Sequence, residues 1–238
     1  MPLHPVVDPD IFTLRPDFVA LSLSVEGACN APSDAASAAL LAQAIATLDA
    51  TPWAEAHLEA WREAYRGFGA KPKRTHSSAE ALRKRAVKDG QMRPLNAVVD
   101  LYNALSLQFA IPVGGEDARR YDGLPRLCRA AGDEPFATTA DGAPVIETAD
   151  PGEVIWRDDS GVTCRRWNWR QGPRTQITED TIDMWFVLER LAPMPLAALT
   201  DAGQELIQGL RRLSPGLQVS VRQYDARNPL GQGAPSID

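Results

Sequence analysis

Apolar positions recur along this chain in two periods. Val19, Leu21, Leu23 and Val25 alternate with Ala20, Ser22 and Ser24, which predicts a half-buried strand ended by Gly27. Helical spacing then takes over. Ser33 or Asp34 can cap an alanine-rich helix running towards Asp49. Thr51 and Pro52 restart helix, with Leu58, Trp61, Tyr65 and Phe68 as its apolar stripe and Gly67 and Gly69 at its end. Ser77 with Glu80 reads as a capping box for a basic helix that stops at Gly90.

The next helix is the most informative. Pro94 suits its first turn, and Leu95, Val98, Val99, Tyr102 and Leu105 form an apolar stripe. Asn96, Asp100 and Asn103 make a second, hydrogen-bonding stripe, and Pro112 with Gly114 and Gly115 supplies a loop whose backbone can approach a ligand. The plain alternative is an amphipathic helix with ordinary capping. Beyond Gly115 the texture becomes short β-like runs at residues 124–131, 144–148, 154–158 and 162–170, with a hairpin turn at 158–161. Residues 182–188 fit a buried strand or a short helix. A helix over 195–213 carries Leu196, Leu199, Leu206, Leu210 and Leu213 inwards, and residues 217–224 close as a strand. The reading is one α+β domain over residues 1–225, a mixed sheet with packed helices, followed by a flexible tail at 226–238.

Composition narrows the class. The 238 residues are 44% hydrophobic and 24% charged, as in an ordinary globular protein. The first ten residues lack a basic region followed by an apolar run, and no run is long enough to span a bilayer, so a cytoplasmic protein with no membrane partner is expected. Cys29, Cys128 and Cys164 are widely spaced and odd in number, which argues against a disulfide framework. The His and Cys spacing supports no metal site, and no cofactor is expected. The net charge of −6 hides two basic segments. Residues 71–93 hold eight Lys or Arg against Glu80 and Asp89, and residues 165–174 hold four Arg and no acid, so a local footprint for phosphates is open beside a merely solvated face.

The densest chemistry is Cys164, Arg165, Arg166, Trp167, Asn168, Trp169 and Arg170. As a strand it puts Arg165, Trp167 and Trp169 on one side and Cys164, Arg166, Asn168 and Arg170 on the other. Arginine and tryptophan stack on bases and grip phosphates or carboxylates; alternatively, the tryptophans plug the core while the arginines pair with Asp158, Glu153 or Asp183. Cys164 could act as a nucleophile, but His4, His57 and His76 are poorly placed as its base. Glu134 and Glu153, each in a glycine-containing turn, could position a water.

Asn96, Val98, Val99, Asp100 and Asn103 match an Asn-x-Val-Val-Asp-x-x-Asn helix. Pro112, Arg129 with Ala130 and Glu134, and Asp141-Gly142 follow in the order of a proline turn, an Arg-x-Ala…Glu strand and turn, and a Leu-Asp-Gly-like turn. This set resembles the editing module, of the B3/B4 type, of the phenylalanyl-tRNA synthetase β chain. Free-standing relatives of that module are also similar at residues 77–85, 114–115, 152–153 and 164–170. The resemblance spans about residues 55–190. It implies an α+β editing-type fold, a tRNA or aminoacyl-tRNA partner, and a trans-acting deacylase that hydrolyses the ester of a mischarged tRNA. The other function it leaves open is a non-catalytic module binding tRNA or an amino acid. Synthetase activity is not implied, since the chain has no ATP-binding signature.

On this resemblance Gly114, Gly115 and Glu134 are the expected catalytic positions. Asn96, Asp100, Asn103, Arg165, Arg166, Trp167, Asn168 and Arg170 are the expected substrate-binding ones. Two departures stand out. The synthetase turn continues Leu-His-Ala-Phe-Asp where this chain has Val113, Gly114, Gly115, Glu116 and Asp117, and the late pocket glutamate has no clear counterpart near Trp185 and Phe186.

Overall fold

The alternation at residues 19–25 becomes a strand with a helical layer on one face and a second sheet on the other. The computed structural model describes residues 2–140 and 142–233. Its N-terminal half holds β1 (Val6–Val7), α1 (Pro9–Leu14), β2 (Val19–Glu26), α2 (Ala35–Ala46), α3 (Ala54–Gly67), α4 (Ser78–Asp89) and α5 (Ala97–Phe109). Then come β3 (Val113–Asp117), β4 (Arg126–Arg129), β5 (Pro135–Ala140), β6 (Ala143–Thr148), β7 (Val154–Asp158), β8 (Gly161–Arg165) and β9 (Arg170–Gln171). The order ends with β10 (Met184–Arg190), α6 (Leu196–Leu213) and β11 (Gln218–Tyr224).

One sheet runs β11-β2-β10-β3 and is antiparallel throughout. Leu21, Leu23, Phe186 and Leu188 cover one of its faces and pack on Leu101 and Leu105 of α5 and on Leu199 and Leu206 of α6. Trp185 and Val187 point the other way, against a second sheet, β1-β4-β7-β8-β9, through Trp156, Trp167 and Trp61 of α3. The 182–188 run therefore resolves as strand, shifted to Met184–Arg190, because alternate side chains must serve two different cores.

The half-buried expectation for residues 19–25 gives way to full burial. Ser22 and Ser24 lie inside, and their hydroxyls take hydrogen bonds from Trp185 Nε1 and the Leu3 N–H. His4, expected in a frayed terminus, is buried between Ser22 and Ser220.

Two further boundaries move. The helix expected from Pro94 begins at Ala97, and β3, which the sequence gives as a loop, is the edge strand beside β10. The hairpin at 158–161 forms as expected between β7 and β8, whereas β5, paired with β6, carries little alternation and is new. Asp141 of the expected Asp141-Gly142 turn lies outside the described residues, as do residues 234–238 of the expected tail. Within that tail, Asn228 hydrogen-bonds to the Asp225, Gln223 and Gln232 backbones. No described helix is long and apolar enough to cross a membrane.

Candidate functional site

The edge of β3 and the connection from β8 to β9 face each other across a cavity of about 240 Å³, with α4 and α5 on its flanks. The connection is not the expected continuous strand. Arg166 and Trp167 adopt left-handed backbone conformations, φ +47° and +67°, and fold the chain into a tight turn. Such a conformation in two successive non-glycine residues is costly and needs external ties. They are present: Arg166 N–H donates to Glu153 Oε1 (2.8 Å), Trp167 N–H to the Val154 carbonyl (2.6 Å), and Ser78 N–H to the Asn168 carbonyl (3.0 Å).

The turn drives Trp167 into the core. Its ring meets Phe18 and Trp61 edge-on at 5.1 and 5.2 Å between centroids. Its Nε1 donates to Glu189 Oε1 (3.0 Å), which also accepts from Trp156 Nε1 (3.2 Å), while Glu189 Oε2 accepts from Asn168 Nδ2 (2.8 Å). Burial pushes the Glu189 carboxyl up to about 7, against these hydrogen bonds. Asn168 is held at its other end by Tyr65 Oη (3.0 Å). One acid thus fixes both tryptophans and the amide at the cavity wall.

On the opposite wall Gly115 has no room for a side chain, since a Cβ would lie 2.8 Å from Tyr102 and 2.9 Å from Phe186. Glu189 N–H donates to the Pro112 carbonyl, so antiparallel alternation turns the Gly114 backbone towards β10 and the Gly115 backbone towards the open edge. Gln171 Nε2 donates to the Gly115 carbonyl there (3.1 Å), and the Gly115 N–H has no protein acceptor among the described residues. Tyr102 and Asn103 continue this wall, Arg85 stands at it from α4, and Ser78 Oγ is buried without a partner among the described residues.

Residues 60–202 match the family model described as the B3/4 domain. The chain belongs to the B3/4 domain family. Among solved structures, an N-terminal fragment of the phenylalanyl-tRNA synthetase beta subunit from Pyrococcus horikoshii is similar, at 13% identity and a TM-score of 0.45. The match covers 91% of this chain and 50% of that fragment, so the chain spans about half of its length. No curated protein matches. The resemblance to the synthetase β-chain module and the α+β fold of that type both stand.

In this B3/4 domain the sequence-expected residues divide. Asn103, Gly114, Gly115, Trp167 and Asn168 come together at the cavity. Asn96 instead caps α5, accepting from Val99 N–H (2.9 Å), and Asp100 accepts from the Leu95 N–H (2.9 Å) and from Ser33 Oγ. Arg165 is buried against Glu153 (2.7 Å) and also reaches Glu147 (2.9 Å) and Asp150. Arg170 donates to the Thr139 carbonyl. Glu134 accepts the Ala131 and Gly132 N–H groups in a turn at a separate cavity.

Arg166 lines a neighbouring cavity of about 510 Å³ with Lys71, Arg74 and Thr75; its guanidinium lies 4.6 Å from the Trp169 ring and donates to Thr75 Oγ1. Asn103 and Arg166 therefore serve adjacent hollows rather than one. Cys164 reaches the cavity but is buried, and burial with Glu116 and Glu189 nearby pushes its thiol well above the usual range, the opposite of an activated nucleophile.

Sequence reasoning missed Glu116, Glu189, Ser78 and Gln171, all at the cavity. The available signal was an acid at the end of each of two apolar stretches, at Glu116 and Glu189.

Proposed function

We propose that this B3/4 domain is a trans-acting aminoacyl-tRNA deacylase, with the aminoacyl ester seated in the cavity between β3 and the 166–169 turn. Membership of the family, together with the Asn-x-Val-Val-Asp-x-x-Asn likeness, supports an aminoacyl-tRNA ligand. The observation that carries the reading is the convergence of Asn103, the open edge at Gly115 and the Asn168 side of the turn on one small cavity with aromatic walls. Such a cavity suits a single amino-acid moiety: apolar walls take the side chain, and a few fixed polar groups orient the ester. Ester hydrolysis asks for positioning and oxyanion donors, which a preorganised N–H supplies.

The phosphate-binding role moves from the arginines of residues 165–170 to the loop before α4. Lys71, Lys73 and Arg74 are exposed and have no carboxylate partner among the described residues, and Arg85 lines the cavity itself. Arg83, by contrast, is tied to the Leu107 and Leu48 carbonyls.

The test is hydrolysis across a panel of mischarged tRNAs. Turnover above the spontaneous rate, reduced about tenfold or more by Asn103→Ala in a protein that remains folded, is expected. Saturable binding with no turnover for any tRNA would instead assign the non-catalytic module.

A further inference from the structure

Glu116 is a buried acid at the cavity that the motif resemblance does not place. We infer that, if the deacylase reading holds, Glu116 is the general base that draws a proton from the attacking water, with the Gly115 N–H as oxyanion donor. Three observations carry this. Glu116 and Gly115 are consecutive on β3 and both line the cavity. The edge of β3 is covered by residues 175–176 from Glu116 onwards, leaving Gly115 as the last residue facing the opening. The two cavity acids also differ in what engages them. Glu189 holds N–H donors on both oxygens and acts as a structural acceptor, whereas Glu116 meets only hydroxyls, Tyr121 Oη at Oε2 (2.6 Å) and the Thr175 side chain.

The chemistry balances without any further reactant. Water oxygen bonds to the ester carbonyl carbon while its proton passes to Glu116. The resulting oxyanion is held by the Gly115 N–H, and the bond to the ribose oxygen then breaks. The proton on Glu116 passes to that ribose oxygen, releasing the amino acid and the tRNA hydroxyl.

Burial pushes the Glu116 carboxyl up to about 7, and hydrogen bonding from the Thr175 and Tyr121 side chains pulls the other way. Facing it are the Arg174–Asp158 ion pair from β7 and the following segment, Tyr121, and across the cavity Tyr102 and Cys164. A carboxylate poised near 7 is matched to base work at neutral pH.

The decisive experiment compares the full chain with Glu116→Gln and Tyr121→Phe on whichever mischarged tRNA it hydrolyses, from pH 5.5 to 8.5, with the spontaneous rate subtracted. Wild-type kcat is expected to rise with pH through a midpoint near 7. Glu116→Gln is expected to lose about 100-fold or more in kcat with KM little changed, and Tyr121→Phe to shift the midpoint upwards, which a merely structural role would not do. A folded Glu116→Gln protein with wild-type kcat overturns the assignment while leaving the deacylase intact. Absence of wild-type turnover on every tRNA overturns the deacylase, and this inference with it.

Discussion

Arg165 shows how residue type alone misleads when the partner is far along the chain. An arginine beside two tryptophans reads as a ligand grip, yet its guanidinium is buried on Glu153, itself buried, twelve positions earlier. Removing one member of such a pair strands the other, at a cost of about 3–5 kcal/mol. Arg165→Met is therefore expected to lower stability by that amount in denaturant titration, while Glu153→Gln in the same background recovers part of it. A variant with unchanged stability and lost tRNA affinity would return Arg165 to the ligand. Trp167 follows the same logic: the alternative in which tryptophan plugs the core is the one that holds, because the left-handed turn at Arg166 and Trp167 aims the indole inwards. No spacing rule signals that turn, since neither residue is glycine or asparagine.

At the scale of elements, periodicity exposed most of the scaffold and little of the site's edge. The cap of α4 was legible, whereas that of α5 was not: Asn96 and Asp100, which read as a polar stripe, serve the helix start. β3 was hidden because Gly114 and Gly115 resemble a loop; the structure shows that the rings of Tyr102 and Phe186 demand glycine at position 115. The loop between α3 and α4 carries the next prediction. Charge reversal is not needed there. Alanine at Lys71, Lys73 and Arg74 together is expected to weaken tRNA binding and to lower the slope of log K against log salt by about 2, with each phosphate contact contributing roughly 0.7–0.9. An unchanged slope would make this segment a solvated face.

For the whole molecule, the two-sheet arrangement buries titratable groups of opposite tendency. Burial holds His4 and His57 neutral, lowering each from 6.5 to about 4, and raises Glu116 and Glu189 from 4.5 to about 7. The histidines contribute stability present above 6.5 and lost as pH falls through 4. The glutamates contribute stability present below 4.5 and lost as pH rises through 7. Between about 4.5 and 6.5 the two slopes oppose, so thermal unfolding is expected to show a plateau there, falling on both sides. Glu116→Gln is expected to flatten the alkaline fall.

None of this was readable from the sequence, because Ser22, Ser24 and His4 are buried against partners, Leu3, Trp185 and Ser220, that the fold brings from distant parts of the chain. The central claim is narrower: the cavity between β3 and the 166–169 turn receives an aminoacyl group. A crystal structure with an amide-linked, non-hydrolysable aminoacyl-adenosine tests it directly. The account predicts the amino-acid moiety between Asn103 and Asn168 with its carbonyl oxygen at the Gly115 N–H. The same analogue bound elsewhere on the molecule, with this cavity empty, would contradict it.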